Sequence, residues 1–284
     1  MNGPYALGWQ PELPDCRDWL ITEHPEAKRL LLGHGPLFQG AAAPGLFPLQ
    51  ALPSRVDLRG HCSPIESQGA LGSCTAQAGV GLLEYLEKRA LGRHTDGSRL
   101  FLYKVTRNIL GWRGDTGAYV RTTLKAMAKF GVCQERYWPY DIARFDEEPT
   151  AFCYADAAMA RTLRYFRLDQ QGTQSGDELL ALLKTVLALG MPVTFGFSVY
   201  SYGNSQGEFP LPKSGDRLLG GHAVVAVGYD DTRDIGGVQG ALQIRNSWGT
   251  YWGEAGYGWL PFGYVTKRLS SDYWTIFAQD YIGD

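Results

Sequence analysis

The sequence predicts an α+β protein of two lobes, a helical lobe followed by a strand-rich one. Three observations carry this. Apolar positions between residues 73 and 189 recur at helical spacing, with recognisable stops. After Pro192 the pattern changes to short apolar runs separated by Gly- and Asp-rich turns. A chain of 284 residues, 44% hydrophobic and 13% aromatic, is long enough for one large domain or two lobes.

Residues 1 to about 52 form an N-terminal extension rich in Gly, Pro and Ala, as in Gly33-His34-Gly35-Pro36 and Ala41-Ala42-Ala43-Pro44-Gly45. That composition favours extended and turn structure over a core of its own. The stretches Asp15 to Trp19 and Leu30-Leu31-Leu32 are able to dock on the remainder. A main domain is expected over residues 53–284, with the helical lobe at about 60–185 and the β lobe at about 186–284.

From Ser73, the positions Val80, Leu83, Leu86 and Ala90 share one helix face. Lys88 and Arg89 suit its last turn, and Gly92 is a natural stop. Further helices are expected from about Ser98 to Leu110, from Tyr119 to Phe130 with Gly131 as terminator, and from Asp177 to Leu189 ahead of Gly190 and Pro192. Strands are expected at Val193 to Tyr200, His222 to Tyr229 and Ala241 to Arg245, with Tyr257 to Leu260 and Tyr273 to Ala278 as further candidates. The charged run Glu84 to Arg89 reads as a solvated helix face, and Asp146-Glu147-Glu148 as an exposed loop. Cys133 and Cys153 read as structural.

The densest chemical signal is Gln68-Gly69-Ala70-Leu71-Gly72-Ser73-Cys74. It puts an amide side chain six residues before a cysteine that opens a helix. Free N–H groups and aligned peptide dipoles at a helix N-terminus stabilise a thiolate, the nucleophilic form of cysteine. A lone cysteine is more often a small buried hydrophobe. Two distant segments alter that balance: Gly220-Gly221-His222-Ala223 opens an apolar run, and Asn246-Ser247-Trp248-Gly249 closes one. A His and an Asn on neighbouring strands suit a thiolate–imidazolium pair whose ring is oriented by an amide.

These pieces, in the order Gln, Cys, His, Asn, Ser-Trp-Gly, resemble papain-like cysteine peptidases over roughly residues 53 to 284. Ser54-Arg55-Val56-Asp57-Leu58-Arg59, and Gly131-Val132 followed by Tyr137-Trp138-Pro139-Tyr140, add smaller likenesses. The chain is most similar to single-chain bacterial and archaeal members. The resemblance implies a papain-like two-lobed fold, with an antiparallel β-barrel-like second lobe and the active site in the cleft. It implies Cys74 as nucleophile, with a pKa of about 3–4 when paired with an imidazolium. His222 is then base and acid, Asn246 orients the ring, and Gln68 is an oxyanion donor with the Cys74 N–H. Gly117, Trp248, Gly221, Gly72 and Ser73 are the expected substrate-binding positions. The implied reaction is endopeptidase hydrolysis through an acyl-enzyme. Transfer to an amine (ligase, cyclase or transamidase) uses the same groups, and a silent binding module on the same fold is a third reading.

No metal or organic cofactor is implied, and the expected partner is a peptide or protein. The net charge of −2 argues against nucleic acid and anionic membranes. No stretch approaches the roughly 20 apolar residues of a membrane span. The N-terminus lacks the basic-then-apolar pattern of a signal peptide. Leu71 stands three residues before Cys74, where secreted relatives carry a disulfide cysteine, so a reducing, cytoplasmic location is expected. Residues 1–52 precede the main domain and are either a candidate intramolecular inhibitor or a structural wrap that never blocks the site.

Overall fold

A computed structural model describes residues 6–25, 27, 52–160, 163–170, 174–201 and 207–278. The expectations for Leu30 to Leu32 and for the Gly/Pro/Ala runs at 33–36 and 41–45 lie outside the described residues.

Strand β1 (Arg55–Asp57) comes first, followed by helix α1 (Cys74–Leu91), α2 (Arg99–Leu110), α3 (Val120–Phe130) and α4 (Ala151–Ala157). Then come β2 (Leu163–Arg167), α5 (Gly176–Ala188), β3 (Val193–Tyr200), β4 (Leu218–Ile235), β5 (Val238–Arg245), β6 (Tyr257–Pro261), the short α6 (Gly263–Thr266) and β7 (Ser270–Ala278). No helix among the described residues is long and apolar enough to cross a membrane.

Local chemistry sets the helix boundaries. Helix α1 stops where Gly92 turns left-handed, its N–H reaching the Lys88 carbonyl. Ser98 caps α2 by accepting from the Phe101 N–H. Ser175 and Glu178 form a reciprocal capping box on α5.

The seven strands form one antiparallel sheet in the order β2-β7-β3-β4-β5-β6, with β1 pairing beside β4. The sheet is open and ends on β2 and β6. Strands β1 and β2 precede the expected strand region, and β2 joins β7 from the chain's middle, in the register Tyr165↔Ile276. Helix α1 is the hinge of the architecture. Val80, Leu82 and Tyr85 are buried among α2, α3 and the sheet. A second core lies between α5 and the sheet, around Leu179, Leu183, Val186, Phe195 and Tyr229. Each such aliphatic side chain contributes about 1.5–3 kcal/mol on burial.

The run Glu84 to Arg89 is a solvated face only at its end: Glu84 and Glu87 are buried, whereas Arg89 is exposed. Glu84 is fully buried; it accepts from Arg99 Nη2 at 3.0 and 3.1 Å, from the Ser63 hydroxyl at 2.5 Å and from the Gly97 N–H at 3.1 Å. A period-3.6 pattern assigns charge to the outside, but α1 is enclosed on several sides, so a charge there must be paired internally. Removing one partner of such a pair typically costs about 3–5 kcal/mol, because the other is left buried and uncompensated. Glu84→Ala is therefore expected to lower unfolding stability by about that amount. Urea titration of both proteins measures it; a change below about 1 kcal/mol would show the pair to be dispensable.

Asp146 does lie in an exposed loop, as expected, but it also anchors a buried group. It accepts from the fully buried Arg107 at 2.6 Å and from the Gly114 N–H at 3.2 Å. Arg107 also donates to the Gly114 carbonyl at 2.6 Å and lies over the Tyr103 ring at 4.3 Å. This brace fixes the loop that carries Gly117.

Candidate active site

Cys74 is the first residue of α1, His222 lies within β4, and Asn246 directly follows β5. The antiparallel pairing of β4 with β5 brings the last two together. His222 Nε2 and Asn246 Oδ1 are 2.7 Å apart, and both side chains are buried. The Ser247 N–H also donates to Asn246 Oδ1 at 2.8 Å, which holds that oxygen toward the ring. With Nε2 committed to Asn246, His222 Nδ1 has no hydrogen-bond partner. The Cys74 sulfur lies within hydrogen-bonding reach of the Ala223 N–H, one residue beyond His222.

Trp248 stacks on the imidazole, with ring centroids 4.4 Å apart and planes at 23°. Phe209 and Trp252 pack edge-on or tilted behind it. This aromatic wall keeps water from the His222–Asn246 bond.

Gln68 is fully buried and its orientation is fixed. The Ser247 hydroxyl donates to its Oε1 at 2.6 Å, so Nε2 is turned the other way, toward the Leu71 carbonyl at 2.9 Å and the Ala6 carbonyl at 3.2 Å. Ser247 thus sets both flanking groups, an arrangement the sequence hints at only through its adjacency to Asn246. Ser73 is committed to a structural contact: its hydroxyl lies 2.6 Å from that of Tyr140, which in turn donates to the Gln68 carbonyl. Tyr140 belongs to the Tyr137–Tyr140 segment but carries no sequence signal of its own for this task.

The N-terminal segment runs directly over these groups. The Gly8 and Trp9 N–H groups both donate to the Gly221 carbonyl at 3.1 Å. The Ala118 N–H donates to the Gly8 carbonyl at 2.8 Å, and the Gln10 N–H to the Ala118 carbonyl at 3.1 Å, a parallel pairing. Gly117 lies beneath it at φ +71°; a Cβ there would sit 2.1 Å from the Gly8 carbonyl oxygen. A Cβ on Gly8 would sit 1.9 Å from the Gly72 carbonyl oxygen. Backbone meets backbone at this point, which only glycine permits. Asp115 steadies the same wall, accepting from the Gly72 N–H at 3.0 Å and from the Tyr103 hydroxyl at 2.6 Å. Of the expected substrate-binding positions, Gly72, Gly117 and Gly221 all touch residues 7–9, and Trp248 stacks on His222.

Further along, this strap is pinned by charge. Arg121 pairs with Glu12 at 2.9 Å and with Asp18 at 2.6 Å, and buried Arg167 reaches Asp18 at 3.1 Å. The Ile21 N–H donates to the Arg167 carbonyl. The stretch from Asp15 to Trp19 therefore does dock.

Covering the site changes its electrostatics. Burial pushes the Cys74 thiol up to about 11, against the smaller opposing pull of the Ala223 and Gly8 N–H groups. Burial likewise pushes His222 down to about 4, with Asn246 opposing. The expected value of about 3–4 for the thiol is thus reversed in the covered chain. The helix terminus that favours a thiolate is present, but desolvation outweighs it. Among the described residues, no three His, Cys, Asp or Glu side chains converge in a way suited to a metal ion.

The family model described as papain family cysteine protease matches residues 52–272. The chain belongs to the papain family of cysteine peptidases. An uncharacterised peptidase C1-like protein of Acanthamoeba polyphaga mimivirus is 34% identical over 281 residues, covering 95% of this chain and 86% of that protein. Caricain of Carica papaya is 30% identical over 211 residues, 72% of this chain and 54% of its own length, so the match spans little more than half of that relative. Among solved structures, xylellain, a cysteine protease from Xylella fastidiosa, has a TM-score of 0.74 at 32% identity, with 97% of each chain covered. This papain-like peptidase thus has the two-lobed α+β fold of its family and the hydrolase activity that goes with it. Its resemblance to xylellain spans the N-terminal strap as well as the peptidase domain.

Proposed function

We propose that this peptidase cleaves internal peptide bonds through a Cys74–His222 ion pair, and that its own residues 6–12 close the site in the full-length chain. The observation that carries both parts is the Gln68 amide, oriented by Ser247 and hydrogen-bonded to the strap's Ala6 carbonyl. A donor held in that way suits a substrate carbonyl, and one from the same chain already occupies it.

In the open form, water and a substrate carbonyl replace the strap. His222 takes the Cys74 proton, and the thiolate attacks the scissile carbonyl carbon. Gln68 Nε2 and the Cys74 N–H donate to the oxyanion that forms. His222 then gives its proton to the departing amine, leaving a thioester. Water, deprotonated by His222, attacks the thioester; the acid departs and the thiol is restored. Asn246 keeps the ring in the tautomer and plane that both transfers need.

Gln68→Ala is expected to lower kcat about 100- to 1,000-fold, the usual loss for one oxyanion donor. A KM effect alone would assign Gln68 to ground-state binding instead. All five cysteines are free thiols, which fits a reducing, cytoplasmic setting. Cell fractionation that found the protein outside the cytoplasm would count against this placement.

A further inference from the structure

Resting on that reading, we propose that one buried water joins Gln77 of α1 to the Asn246 carboxamide, and that Gln77 is thereby a positioning residue for the His222 ring. The two ends of the Asn246 amide fare differently. Its Oδ1 takes the His222 ring at 2.7 Å and the Ser247 N–H at 2.8 Å. A flipped amide would set Nδ2 against the Ser247 N–H, donor against donor, so the orientation is fixed. Nδ2 then has two hydrogens to place, and it is buried with no acceptor among the described residues. Gln77 is in the same state. It lies three residues after Cys74 on α1 and is 5% exposed, and neither its Oε1 nor its Nε2 has a hydrogen-bond partner among the described residues. The Tyr140 hydroxyl approaches the same amide without reaching hydrogen-bond geometry, being engaged with Ser73 and the Gln68 carbonyl. A buried amide left unpaired is costly.

Both residues line one cavity of about 10 Å³ between α1 and strands β4 and β5, where Ala78 and Ala223 leave the room. That volume accommodates one water, and a polar cavity of this size holds one where an apolar cavity stays dry. Its charged neighbours are already engaged: Arg245 donates to the Ser63 and Pro64 carbonyls at 2.7 Å, and Glu66 pairs with Arg99 at 3.7 Å. The site therefore suits a neutral molecule rather than an ion. A water there accepts from Asn246 Nδ2 and either donates to Gln77 Oε1 or accepts from Gln77 Nε2, so one molecule meets both needs. The bridge ties Asn246, which follows β5, to the helix that carries Cys74. It holds the plane of the carboxamide and, through Oδ1, the plane of the His222 ring relative to the sulfur. Without it the carboxamide is free to rotate, and a small misplacement of the ring slows proton transfer.

The test uses the full-length chain. In the wild type, NMR should show nuclear Overhauser effects between the Asn246 side-chain NH2 protons and a long-lived water. Gln77→Met matches glutamine in length but has no amide; it should abolish those effects and shift the His222 Nε2–H resonance. In the Trp9→Ala background, which loosens the strap, Gln77→Met should lower kcat for a fluorogenic peptide about 5- to 100-fold, the range for a buried polar group left unpaired. KM should stay within about twofold, since Gln77 does not meet the substrate. Gln77→Glu, assayed at mildly acidic pH where a buried carboxyl stays protonated, keeps an oxygen and a donor in place and should recover most of the loss. Absence of the water contact at Asn246 in the wild type overturns the proposal, and that measurement stands even if Gln77→Met does not fold. A kcat unchanged by Gln77→Met, or lowered equally by Gln77→Met and Gln77→Glu, overturns the positioning role. A folded Trp9→Ala protein that cleaves nothing and whose Cys74 resists an epoxide overturns the hydrolytic reading and the positioning role with it, whereas the water contact is read without turnover.

Discussion

Trp9→Ala should raise the rate of Cys74 alkylation in the folded full-length chain about 100- to 4,000-fold. Truncating a buried Trp to Ala typically costs about 3–5 kcal/mol, and each 1.4 kcal/mol is a factor of ten in the closed-to-open equilibrium. Nearly all of that cost falls on the strap, which is held by Trp9, by backbone pairing to Gly221 and Ala118, and by the Arg121 pairs. Intact-mass labelling with iodoacetamide or a papain-class epoxide measures the rate, and circular dichroism checks the fold. The pH profile gives an independent reading. In the covered chain the thiol keeps its proton up to about 11 and the imidazole is neutral above about 4, so between those values the pair is uncharged. Alkylation of the wild-type chain should therefore climb across the alkaline range. In Trp9→Ala water returns to the site, the thiol falls and the imidazolium rises, and labelling should already be fast near neutrality. Equal rates and profiles in the two proteins would show that the strap does not close the site.

Cys74→Ala, placed in the Trp9→Ala background, should lower peptide hydrolysis by at least about four orders of magnitude, the scale seen when a covalent nucleophile is removed. The single epoxide adduct should vanish with it, and His222→Ala should slow that adduct's formation without abolishing it. Activity retained by Cys74→Ala would refute the covalent mechanism. In the proposed mechanism the effect is large because the other groups serve the sulfur: Asn246 holds His222, Ser247 holds both Asn246 and Gln68, and Gln68 would stabilise a charge that forms only after attack.

The principal helices α1, α2, α3 and α5, and the strands from β3 to β7, were legible in the sequence because their stops and periods are local. Gly92, Ser98, Gly131 and Ser175 act on the few residues beside them, and strand character after Pro192 is a matter of composition. Strands β1 and β2 were not legible. Each is three to five residues long and owes its existence to partners far away, β4 for one and β7 for the other. Glu84 was misplaced for a related reason: a charged residue is read as exposed unless its partner is visible, and Arg99 becomes its partner only through packing.

The candidate site divides along the same line. The sequence by itself nominated the proposed reacting groups, because Cys74, His222, Asn246 and Gln68 are chemically distinctive and come in a distinctive order. Only the tertiary structure decided their state. That state depends on what covers them, and the covering residues Ala6 to Gln10 are separated by more than a hundred positions from the Ala118 and Gly221 backbone that binds them. Backbone pairing carries no side-chain signature, so no motif announces it. The fit of Trp9 over Gly196 and Gly221 and against Asp272 is likewise a matter of distances between four separate stretches of chain. Desolvation, which turns a thiolate-favouring helix terminus into a neutral thiol, is a property of that enclosure and of no residue within it.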